Sequence, residues 1–182
     1  MSISISNLEL MEKIYPIIGE MVRSYRAYHS INSNLDSLPG DKEFWITLND
    51  NCLKVVYIDF CKVFANPKDD TYWTKMFDST NREEAQNLFF EELSARGISK
   101  SDYEKYVNDS KVFRDKFTVH TDIKNYKMEP IPLFNTAIKI CDVLLSVYER
   151  MTDILFEEKA CHLDRRYMDM ANLTIGETTK KQ

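Results

Sequence analysis

The stretch "KVFRDKFTVHTDIKNYK", Lys111 to Lys127, sets an arginine, an adjoining carboxylate and a histidine within seven residues, Arg114, Asp115 and His120. Histidine titrates near neutrality, so it can take and return a proton at pH 7. Arginine stays charged, and its planar fork fits phosphate oxygens. Together they suit phosphodiester transfer, where a proton shuttle and a clamp on the developing negative charge are what is needed. RNA cut by its own 2′-hydroxyl requires both and no metal. Lys111, Lys116, Lys124 and Lys127 join Arg114 as five basic residues against Asp115 and Asp122, a local charge of +3. An RNA backbone would rest there. The plainer alternative also stands. His120 would cap the negative end of a helix dipole, and Arg114 would pair with Asp115 or another surface carboxylate.

On an unbroken helix, six steps separate Arg114 and His120 by about 9 Å and roughly 120°. Such a pair does not face itself. Either the helix frays before His120, or a second copy of the chain brings another pair alongside.

The elements that must position this stretch read as helices. Leu8, Met11, Ile14, Ile18, Val22, Tyr25 and Tyr28 recur at helical spacing and predict a helix over about Asn7–Ile31, kinked or split at Pro16. Asp41 is set to cap a second helix, about Lys42–Ala65, with Trp45, Leu48, Cys52, Val55, Val56, Asp59 and Val63 on one stripe. Asp59 is the odd member there, either a support for Arg114 or a residue paired with a neighbour. "TYWTKMF" reads as one helical turn. "STNREEAQNLFFEELSARG" is a helix stopped by Gly97. Ser99 and Asp102 form a box-like cap for the next, which carries Tyr103, Tyr106 or Val107, Ser110, Phe113 and Phe117 inward. After a loop with two prolines, a long helix runs from about Leu133 to Glu158, continuing toward Met168. The expected architecture is all-α, a bundle of four to five long helices. One domain is expected over residues 1–168, with 169–182 a flexible tail.

The chain has 182 residues and a formal charge of −5, which excludes a general nucleic-acid coat while leaving a local basic patch open. Four cysteines, at 52, 61, 141 and 161, form no CxxC. Cys52, Cys61 and Cys141 fall within apolar helical patterns and read as reduced and buried, which suits the cytoplasm. The first residues lack the pattern of a signal peptide, and no apolar run is long enough for a membrane span. There is no Gly-rich phosphate loop and no GxSxG. The histidines at 29, 120 and 162 are too scattered for a metal site, so no metal or cofactor is expected. His29 with Arg23 and Arg26 reads as a solvated face. His162, Arg165 and Arg166 read as a cationic helix end.

"RDKFTVH" resembles the Rx4-6H signature of the HEPN superfamily (higher eukaryotes and prokaryotes nucleotide-binding). There too the motif ends a helix in a helical bundle, and a polar residue often follows the arginine, as Asp115 does. The stretch "LFFEELSARGISKSDYEKYVNDSKVFRDKFTVHTD", with the Pro-containing loop and long amphipathic helix after it, is similar to the AbiU-like abortive-infection branch. The likeness spans about residues 7–160, and only the motif is specific. It implies a metal-independent endoribonuclease acting as a homodimer, with two motifs forming one composite site. His120 would be the acid/base group, Arg114 the phosphate clamp, and Asp115 would orient one of them. Other members of the superfamily have lost catalysis and bind RNA or protein, so an inactive binding module is the alternative. Some HEPN toxins carry a tyrosine two residues after the histidine, the target of a modifying partner. Here that position is Asp122, so such a control partner is not implied, and any antitoxin or defence partner stays unidentified.

Overall fold

The computed structural model describes residues 5–116 and 131–179. Among these are six α-helices and no strand, the all-α bundle the periodicity predicts. They are α1 (Ile5–Asn34), α2 (Lys42–Phe64), α3 (Arg82–Ala95), α4 (Lys100–Arg114), α5 (Phe134–Thr152) and α6 (Ala160–Thr179), with a 3-10 turn at Trp73–Met76. α1 packs along α2 and α6, α2 against α4, and α3 against α5. No helix among the described residues is long and apolar enough to cross a membrane.

α1 runs unbroken through Pro16, so of the two outcomes expected there, a kink or a split, the split does not occur. Its buried face carries Ile14, Ile18, Met21 and Val22. Asp41 caps α2, its carboxylate accepting from the Glu43 backbone N–H at 2.8 Å. The apolar stripe of α2 differs from expectation in its first turns, where Leu48 is exposed and Trp45 only half-buried. Farther along, Val56, Tyr57, Phe60, Cys61, Val63 and Phe64 are all buried, because α1 and α4 flank this half from different sides. Gly97 ends α3 at φ 77°, a left-handed conformation that favours glycine. Ser99 and Asp102 then open α4 with a complete capping box.

The single long helix expected from Leu133 is two helices. Asp153 takes φ 58°, which breaks the helical path. Asp tolerates that region better than most residues with a side chain. Glu149 holds the reversal, accepting from the Phe156 backbone N–H at 2.9 Å and pairing with Lys159. α6 then begins afresh and reaches Thr179, well into the segment expected as a tail. His162, Arg165 and Arg166 therefore lie early in α6, not at a cationic C-terminal end, and Arg166 offsets the unfavourable dipole by pairing with Glu158 at 2.7 Å. Arg26 also departs from expectation. It binds Asp164 through Nε at 2.6 Å and through a second nitrogen, with the two side chains only 15% and 17% exposed, and clasps α1 to α6.

Asp142, buried on α5, accepts the Cys161 backbone N–H at 3.1 Å and so caps the start of α6 from another helix. Arg96 lies 4.0 Å from its other oxygen. Asp142→Ala is expected to cost about 1–2 kcal/mol, the usual effect of losing a cap. Asp142→Asn, which keeps an acceptor, should recover most of it in urea denaturation. Equal losses for the two variants would refute the capping role.

Candidate functional site

Arg114 is the last residue of α4, and the backbone widens into a π-type turn at Asp115 and Lys116. His120, Lys124 and Lys127 lie outside the described residues. The first expectation thus has half its geometry on view. Arg114 Nε and Nη2 both donate to Asp115 Oδ1, at 2.9 and 2.7 Å. The pairing fits the orienting role expected for Asp115, and equally the plain surface-pair alternative. The Arg114 side chain is 24% exposed, so its hydrocarbon stem lies against the bundle.

The α2–α4 seam supplies the surroundings. Burial works to lower the proton affinity of Arg114, but Asp115, Cys61 and Asp69 nearby outweigh it and hold the guanidinium above its ordinary value. It therefore stays cationic at any working pH. Burial pushes the Cys61 thiol up to about 12, against the pull of Arg114 and Lys111. That thiol is no nucleophile. Its surroundings also locate Lys111 and Arg114 on the face of α4 that meets the end of α2. Lys111 is exposed, and so is Lys116.

Asp59 turns elsewhere. Asp59 and Cys61 are two residues apart, which sets them roughly 160° apart around α2. Cys61 is felt by Arg114, whereas Asp59 accepts from Lys62 Nζ at 2.7 Å and feels Glu20 of α1. The plainer expectation, a carboxylate paired with its neighbour, describes it. Burial raises the Asp59 pKa above its ordinary value, with Lys62 acting in the opposite sense. The native state then binds this proton more tightly than the unfolded chain. The contribution of Asp59 to stability therefore falls as pH rises from about 4 through its folded pKa. Asp59→Asn should remove that fall, so that the variant gains on the wild type in thermal midpoint between acid and neutral pH. A variant that loses ground over this range would overturn the sign.

Beside the Lys111 end of this seam lies an open groove of about 440 Å³ between α4, α3 and the segment following α2. Tyr72, Trp73 and Phe90 line it together with Lys100 and Lys111. Helical spacing placed Tyr103 inward, and it is buried; Trp73, in the short helical turn, is buried too, while Tyr72 and Phe90 are only half-buried. The groove was not foreseen, because it is made by residues from successive elements that only packing brings to one surface. A second hollow, about 570 Å³, lies on the other flank of α4 against the start of α5, with Val112, Ile131 and Leu133 exposed around it.

All four cysteines are free, with Cys61 and Cys141 buried, Cys52 half-buried and Cys161 exposed. Among the described residues, no cluster of three or more His, Cys, Asp or Glu side chains is placed to hold a metal ion. No protein-family model matches the chain. No curated protein and no solved structure matches it either. The likeness to the HEPN motif therefore rests on the residues and their helical setting alone.

Proposed function

We propose that the chain is a metal-independent endoribonuclease of a prokaryotic defence or toxin system, acting in the cytoplasm as a homodimer with a composite Arg/His site. The observation that carries this reading is the placement of Arg114. It ends α4 with its guanidinium held by Asp115 and backed by the bundle, directly before the segment that bears His120. In the reaction, His120 takes the proton from a ribose 2′-hydroxyl, whose oxygen attacks the adjacent phosphorus. Arg114 stabilises the charge gathering on the non-bridging oxygens. The bond to the 5′ oxygen breaks, and that oxygen leaves with a proton returned from the second copy's motif. The products are a 2′,3′-cyclic phosphate and a 5′-hydroxyl.

One observation favours a second reading, a silent module that binds RNA or protein. Arg114 already gives two N–H groups to Asp115, and a phosphate must share or displace that carboxylate. The test is to incubate the purified dimer with RNA in EDTA and examine the ends. Cyclic-phosphate termini support the nuclease, as does slowed growth on expression. Intact RNA bound in a salt-sensitive way supports the module, because phosphate contacts weaken as salt rises.

A further inference from the structure

We propose that the groove between α3, α4 and the segment after α2 holds one base of a single-stranded RNA, whose backbone runs on to Arg114; the identity of the ligand rests on the ribonuclease reading above. Lys100, Tyr103, Val107, Lys111 and Arg114 follow one another at steps of three and four along α4. The first four line the groove, and Arg114 stands one turn beyond it. The rise from Lys100 to Arg114 is about 21 Å, room for a few nucleotides. The stripe thus offers cations at both ends and an aromatic hollow between.

The lining fits a base better than a bare phosphate. Phe90 stands nearly perpendicular to Phe89 and to Tyr103, each at 77°, so its ring is fixed in orientation. The Lys100 ammonium lies over that ring, 5.1 Å from its centroid. Lys100 is exposed and free to swing aside, and its charge would then neighbour the incoming nucleotide's phosphate. At the floor, Trp73 is almost fully buried, its indole Nε1 beside the hydroxyls of Tyr72 and Tyr103. Gln86 supplies both a donor and an acceptor at the wall, and Glu104 supplies an acceptor only. A site for a simple anion would not carry Glu104. A base, with amino and carbonyl groups on one edge and a flat face, meets all of these partners. Stacking on aromatic side chains is also how single strands are commonly held.

The test uses the full chain carrying His120→Ala, so that RNA survives, and a fluorescent single-stranded hexaribonucleotide. Its abasic counterpart and its duplex serve as controls. Phe90→Leu is expected to weaken hexamer binding about 10-fold, within the range of one lost stack. The abasic hexamer should bind with a similar loss, and the duplex should bind poorly. Lys111→Gln should flatten the salt dependence by about 0.7, one phosphate contact on a single strand. Thermal midpoints check that Phe90→Leu folds, and Gln86→Ala, on the groove wall, is the second variant. Unchanged affinity for both variants and for the abasic strand overturns the proposal, as does failure of the folded chain to bind the hexamer. Cleavage by the wild type that ignores Phe90 sinks the groove and leaves the nuclease. Phe90-dependent binding by a chain that never cleaves sinks the nuclease and leaves the groove.

Discussion

His120→Ala is expected to slow RNA cleavage by about 10²–10⁴-fold, the usual loss when a positioned acid/base group is removed. Arg114→Ala should cost about 10²–10³-fold, comparable to removing one donor to a transition-state oxyanion. The two losses should differ in kind. His120→Ala should leave RNA binding almost intact and flatten the pH–rate profile. Arg114→Ala should leave the shape of that profile and slow the reaction at every pH. Arg114→Lys should rescue little, because an ammonium cannot reproduce the fork that grips two oxygens. The Arg114 variants should fold, since this side chain ends a helix and its partner Asp115 is half exposed. If two motifs converge, two guanidinium groups crowd two imidazoles and lower their pKa, so activity should persist at neutral pH. A rate confined to strongly acid pH, or a His120→Ala protein as active as the wild type, would end this account. Asp115→Asn separates the two readings of the Arg114 pair. If Asp115 orients the clamp, the variant is slower. If Asp115 merely occupies it, the variant binds RNA more tightly.

The elements that local rules govern were legible in the sequence. Asp41 at the start of α2, the Ser99–Asp102 box before α4 and Gly97 after α3 all act within a few residues of themselves, so one chain carries the whole signal. The same is true of the inward faces of α3 and α4, where Phe89, Leu93, Tyr103 and Phe113 keep helical spacing. What escaped depends on distant partners. The α5–α6 break at Asp153 has no glycine or proline to mark it, and it is held by Glu149 and by Asp142 reaching across to Cys161. Arg26 looked like one more surface cation because Asp164, its partner, lies 138 residues away. Asp59 stood out as a carboxylate on an apolar stripe, but only packing could say that it turns to Lys62 and α1. For the candidate site, the motif gave Arg114 and Asp115 as neighbours, and they are hydrogen-bonded. The aromatic groove beside them needed three elements brought together, which no spacing rule encodes.

Phe89→Ala carries the largest expected loss of stability. The Phe89 side chain has no exposure at all. Its ring lies 4.3 Å from that of Trp73, and 5.5 Å from both Phe90 and Tyr103. Deleting a buried Phe side chain costs about 3–5 kcal/mol, the lost transfer term plus the cavity left behind. These rings belong to three elements, so the hole cannot close by a shift of one helix. Domains are stable by only about 5–15 kcal/mol, so at least about a fifth of the total would go. For a chain of this size the thermal midpoint should drop roughly 10 °C. Phe89→Leu, which keeps much of the volume, should cost less than half as much. The contrast is Phe44→Ser on α2, where a phenylalanine 60% exposed should change stability by no more than about 0.5 kcal/mol. Trp73 and Tyr103, which Phe89 holds in place, also line the groove beside Phe90. Phe89→Ala should therefore loosen hexamer binding at temperatures where the chain is still folded, while Phe44→Ser should not. Equal denaturation midpoints for Phe89→Ala and Phe44→Ser would show that the aromatic cluster is not the keystone between α3, α4 and the 3-10 turn.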